Sequence, residues 1–178
     1  PISDDNKCAI HTTWSTNDLW PYNWLYACGF TGQFTSEVEL QTAVNLWVSD
    51  EASALSQYGD INTWDVSLIT NMNSLFYNKT TFNSDIGNWD VSNVTEMERM
   101  FYDARVFNQD LSNWDVSNLT DAYGMFERAY DFNGDISTWN VSNVTRTRKM
   151  FFMAYDFNSD ISNWNVSNVT DMRCLLYT

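Results

Sequence analysis

Phe82-Asn-Ser-Asp-Ile-Gly-Asn-Trp-Asp-Val-Ser-Asn-Val-Thr-Glu-Met-Glu-Arg-Met-Phe-Tyr-Asp-Ala-Arg-Val106 decides the reading of this chain, because the pattern recurs from Phe107, from Phe132 and from Phe157, with an imperfect copy before it from Gln57. The spacing is 25 residues each time, without an insertion. A fixed period in this range marks a repeat architecture, in which each copy buries its apolar side chains against its neighbours. The copies are 57–81, 82–106, 107–131, 132–156 and 157–178.

Two periodicities alternate inside a copy. Between Ile86, Trp89 and Val91 the last two apolar residues sit two apart, which predicts a short strand with Asp90 on its other face. Val94, Met97, Met100, Phe101 and Ala104 are spaced by threes and fours, which predicts a short helix with Thr95 as N-cap and Glu98 completing a capping box. The expected fold is an α/β solenoid of five strand-turn-helix repeats, with a parallel sheet on one side and helices on the other. Ahead of it, Ser36 with Glu39 reads as a capping box, and Leu40, Ala43, Val44 and Trp47 share one helical face. Residues 34–56 are therefore expected to form a capping helix and linker over the first copy. Residues 1–33 carry Trp14, Trp20, Tyr22, Trp24, Tyr26 and Phe30 among turn residues, and read as an aromatic head or docking arm.

The line Asp160-Ile-Ser-Asn-Trp-Asn-Val-Ser-Asn-Val-Thr-Asp-Met172, with Met-Phe before the return loop in earlier copies, resembles the BspA-like leucine-rich-repeat surface proteins, the DUF285 group. The likeness covers residues 57–178, and Phe34 to Trp47 is similar to the segment that precedes such arrays. The resemblance implies a right-handed, leucine-rich-repeat-like solenoid on a cell surface, serving adhesion or partner binding. It implies no catalytic residues.

Charge narrows the partners. The formal charge is −14, with seven acids against one lysine before residue 57 and sixteen acids against eight bases after it. Such a surface repels phosphate backbones and anionic lipid, so neither nucleic acid nor a membrane surface is expected as a partner. No apolar run reaches the roughly 18 residues of a membrane span. The opening residues, Pro1 to Lys7, lack the basic start and apolar core of a signal peptide, so a processed N-terminus is expected. Of the three cysteines, Cys8 and Cys28 are a candidate disulfide within the head, which leaves Cys174 as an interchain candidate in an oxidising compartment.

Repetition turns single residues into ladders. Trp64, Trp89, Trp114, Trp139 and Trp164 share one position, and their phase with Ile86 and Val91 assigns them to the core. Asp60, Asp85, Asp110, Asp135 and Asp160 are expected to accept turn amides and not to hold calcium. Asp65, Asp90, Asp115, Asn140 and Asn165 line up on the predicted strand face, where a carbohydrate or a cation could be held. Asn93, Asn118, Asn143 and Asn168 head glycosylation sequons, as do Asn140 and Asn165, although glycans on adjacent rungs would crowd one another. Asn78-Lys-Thr80 stands outside these ladders and is the favoured glycan acceptor. The threonine file Thr70, Thr95, Thr120, Thr145 and Thr170 reads as helix caps. His11 is the sole histidine, no nucleophile is framed around it, and no metal, cofactor or catalytic residue is expected.

The last copy stops within its predicted helix, at Cys174-Leu-Leu-Tyr-Thr178, and an open end of this kind needs a cover. Docking of residues 1–33 of one molecule on 157–178 of another would propagate head to tail into fibres. The sequence thus predicts a non-enzymatic, secreted or cell-surface repeat protein. Its expected work is recognition, adhesion or self-assembly, with a protein partner or copies of itself and with N-glycans. A carbohydrate- or cation-dependent module and an accessory subunit of a larger complex are the rivals.

Overall fold

The computed structural model describes residues 33–177. The aromatic head, His11, Cys8 and Cys28 lie outside the described residues, as does the docking contact expected of that head. Two helices come first, α1 (Glu37–Ser49) and α2 (Glu51–Tyr58), followed by a 3-10 turn, Ile61–Thr63. Ser36 caps α1 by accepting from the Glu39 amide, while Glu39 turns its carboxylate to the Thr35 amide. Asp50 ends α1 and caps α2 by accepting from the Ser53 amide and hydroxyl. Sequence reading gave one helix here. The second is built on this aspartate cap, and it ends at Gly59, whose φ of 77° closes it.

The expected leucine-rich-repeat-like stack of strand-turn-helix repeats is not seen. Among the described residues there are two strands of two residues each, β1 (Phe151–Phe152) and β2 (Leu176–Tyr177), which pair in parallel. No helix follows Thr63 among the described residues. The copies are made of turns. Amides of Met72, Ser74, Phe76 and Asn78 donate to Glu96, Glu98, Met100 and Tyr102 of the next copy, whereas those of Leu75, Tyr77 and Lys79 donate three residues back.

A helix would send each amide four residues back. Here the amides alternate between two destinations, and every fourth residue is left-handed: Ser74 and Asn78, then Arg99 and Asp103, then Gly124 and Arg128, then Lys149 and Met153. Tandem turns four residues long bring Met97, Met100, Phe101 and Ala104 inward with the same three-and-four spacing as a helix, which is why the pattern misled. Thr95 caps nothing. Its amide and hydroxyl both donate to the Thr70 carbonyl of the copy before, and Thr120, Thr145 and Thr170 do likewise in turn.

One continuous core runs from Phe34 to Ala154. The tryptophan indole N–H groups donate to carbonyls of the preceding copy: Trp89 to Ile61, Trp114 to Ile86, Trp139 to Leu111 and Trp164 to Ile136. Phe76, Phe101, Phe126 and Phe151 form a file with ring centres 5.2, 5.3 and 5.7 Å apart. Leu40, Ala43, Val44 and Trp47 of α1 join this core. Trp47 meets Trp64 of the first copy edge-on at 5.8 Å and donates to the Ser84 hydroxyl of the second, so α1 lies against the first two copies.

Candidate interaction surface

Within a copy, the first fourteen positions hold Asp60 and Asp65, Asp85 and Asp90, Asp110 and Asp115, Asp135, and Asp160, with no lysine or arginine among them. From the fifteenth position onward acids and bases balance, and every lysine and arginine after residue 56 is found there. The excess charge of the copies therefore sits on one stretch of surface.

Local backbone chemistry positions these carboxylates. Asp60, Asp85, Asp110, Asp135 and Asp160 each accept the amide two residues on, at 2.8–2.9 Å. Asp65, Asp90 and Asp115 do the same for Ser67, Ser92 and Ser117, at 2.9–3.0 Å, and Asn140 and Asn165 for Ser142 and Ser167, at 3.2 Å. Hydrogen bonds to the ionised form favour it. The Ser67 hydroxyl and amide hold Asp65 below the usual carboxylate range, and Ser117 acts in the same way on Asp115. The Ser137 and Ser162 amides lead the same downward shift at Asp135 and Asp160. The second oxygens of Asp65 and Asp85 accept the Gln33 and Asn62 side-chain amides, which ties these carboxylates into the fold as well.

The residues expected on a strand face thus sit on turns. Asp90 and Asp115 flank a depression of about 300 Å³ lined also by Gly87, Asn88, Trp89, Val91 and Asn113. A cleft of about 400 Å³ opens where α1 meets the first copy, between Glu37, Gln41 and Asn71. Among the described residues no group of three histidines, cysteines or acids could hold a metal.

The sequon asparagines divide into three kinds, of which Asn140 and Asn165 are those that accept the Ser142 and Ser167 amides. Asn93, Asn118, Asn143 and Asn168 donate their side-chain amides to the Ser67, Ser92, Ser117 and Ser142 carbonyls at 2.7–2.9 Å, so the nitrogen a glycan would take already joins neighbouring copies. Asn78 is exposed, left-handed at φ 58°, and tied through its main-chain amide to Tyr102. A further asparagine file, missed in the sequence, links the copies: the Asn83, Asn108 and Asn133 side chains accept the amides of Asn108, Asn133 and Asn158. Its signal was the invariable Asn after each repeat-opening Phe. Trp64, Trp89, Trp114 and Trp139 are buried and Trp164 partly so, which leaves no exposed tryptophan strip here. Cys174 is exposed as a free thiol at a left-handed turn position.

The family described as "Mycoplasma protein of unknown function, DUF285" matches residues 44–152 and 123–178. No curated protein and no solved structure matches. No described helix is long and apolar enough to cross a membrane.

Proposed function

The chain belongs to the DUF285 family, and on that footing we propose that it is a non-enzymatic, secreted or cell-surface protein that recognises a basic segment of a protein partner on its aspartate-lined surface. The observation that carries this reading is the segregation of charge, with aspartate and no cation over the first fourteen positions of every copy. Rows of like charge on one surface raise its potential and draw in cationic partners at a rate that salt depresses. The likeness to BspA-like surface proteins supports the same compartment. In a secreted chain Asn78 is the favoured glycan acceptor, because its sequon lies apart from the ladders.

Hexalysine, titrated by calorimetry at low and at physiological salt, tests the proposal. Saturable binding that weakens with salt is expected, together with a loss of roughly tenfold or more in a D85N/D110N/D135N variant. Asparagine keeps the turn acceptor and removes only the charge, so an unchanged affinity in this variant overturns the reading. The depression beside Asp90 and Asp115 favours a second reading, a carbohydrate module. Glycan-array binding that D90N/D115N abolishes would replace the first reading with this one.

A further inference from the structure

Tyr123 stands at the centre of a cluster of three arginines from the copies on either side of its own. The guanidinium carbons of Arg99, Arg146 and Arg148 lie 5.0, 5.3 and 5.9 Å from its ring centre. Two of the three are compensated: Arg99 lies beside Glu98 and donates to the Tyr123 hydroxyl, while Arg146 pairs with Asp121 and Glu98. The next cation along, Arg173, is locked onto Asp171 by two bonds of 2.7 and 2.8 Å.

Among the described residues, Arg148 is the one cation with neither an ion pair nor a hydrogen-bond partner; its charge acts on Asp171, which Arg173 already holds, and its Nε, like that of Arg99, is shielded from solvent without an acceptor. The other guanidinium groups of this half-copy surface take carboxylates, Arg105 doing so through both its Nε and Nη2 on Asp103. A guanidinium backed by an aromatic ring has its orientation set and its fork presented, which suits a carboxylate that binds through both oxygens.

We propose that Arg148, at the Tyr123 ring it shares with Arg99 and Arg146, is the docking point for a carboxylate on an acidic segment of the protein partner. This deepens the recognition reading given above and rests on it. The partner then carries both charges. Its basic part meets the aspartate surface, and its acidic part meets the one guanidinium among the described residues that has no ion pair or hydrogen bond of its own. Such a two-sign pattern fixes the register of docking, which rows of aspartate repeating every 25 residues cannot do alone.

Hexaglutamate and hexalysine, each titrated into the full chain at physiological salt, separate the two claims. At that salt the Debye length is about 8 Å, so the overall negative charge does not mask a local site. Saturable hexaglutamate binding is expected. R148Q should weaken it roughly tenfold, and R148K, which keeps the charge but not the fork, should lose most of that as well. R105Q, whose guanidinium is already committed to Asp103, should stay within about twofold. Circular dichroism of each variant checks that the fold is kept. Equal losses in R148Q and R105Q, or no saturable hexaglutamate binding beside normal hexalysine binding, would overturn the Arg148 site and leave the aspartate surface standing. Normal hexaglutamate binding with no hexalysine binding would support this site and remove the aspartate-surface reading.

Discussion

Residues 82–156 and residues 157–177 carry nearly the same sequence pattern and have different burial. Val91, Val116 and Val141 are at most 3% exposed, and the equivalent Val166 is 36% exposed. Met97 is fully covered, and Met172 is 42% exposed; Phe101, Phe126 and Phe151 are fully covered, and Leu176 in their file is 54% exposed. Nearly the same local sequence, made into similar turns, buries its side chains where another copy packs onto it. In this chain the unit of burial is thus the contact between copies, in keeping with architectures whose stability is a sum of neighbour terms.

The largest effect that would break this comparison comes from truncating equivalent tryptophans. Trp114→Ala removes a buried ring and the bond to Ile86, and should cost about 4 kcal/mol in urea unfolding. Trp164→Ala, in the partly buried copy, should cost less than half as much, roughly 1–2 kcal/mol. Equal losses would mean that burial is not set by the following copy.

Next comes backbone proximity. A Cβ at Gly134 would lie 2.0 Å from the Gln109 carbonyl oxygen, so Gly134→Ala forces adjacent copies apart and should cost about 2–3 kcal/mol. The same substitution at Gly124 meets only side chains, the nearest being Glu127 at 3.1 Å, at a left-handed position that Arg99 and Lys149 also adopt in their own copies. It should cost less, about 1 kcal/mol. Thermal melts of the two variants rank them.

A smaller effect sharpens the role of the asparagine file. Asn108→Ala leaves the Asn133 amide without its acceptor and should cost about 1 kcal/mol, whereas a change at the exposed Asn113, which has no part in that file, should fall within about 0.5 kcal/mol of wild type. Chemical denaturation measures both.

The smallest effect should not distinguish the regions at all. The carboxyls of Asp135 and Asp160 are lowered by the same turn amides, one in an interior copy and one in the last. A carboxyl whose folded pKa lies below its unfolded value of about 3.9 contributes stability that is fully present above that value and is lost as pH falls through the folded pKa. The melting temperature should therefore hold steady down to about pH 4 and decline below it, and D135N and D160N should blunt the decline equally. A melting temperature unchanged at about pH 2 would refute this.

Much of this was legible in the chain itself. The 25-residue period fixed which residues are equivalent, and the aspartates before turn residues implied the amide-accepting role they have. The charge segregation could have been counted once the copies were aligned. The secondary structure was not legible, because a row of four-residue turns and a helix space their inward residues alike. The left-handed positions that separate the two are occupied here mostly by Ser, Arg, Lys, Asn and Met, not by glycine. The second helix was missed because Asp50 serves two helices at once, an economy that eight weakly patterned residues do not announce.

By itself the sequence determined the register of the copies, the composition of the core and the sign of the surface charge, since each depends on residue identity at a fixed spacing. Only the tertiary structure decided where the backbone amides go. Each amide can close a local helix or bond to the chain 24 residues away, and the choice depends on whether the neighbouring copy presents its carbonyls in reach. The same neighbour decides which side chains are buried and leaves Arg148 beside the Tyr123 ring with no hydrogen-bonded carboxylate.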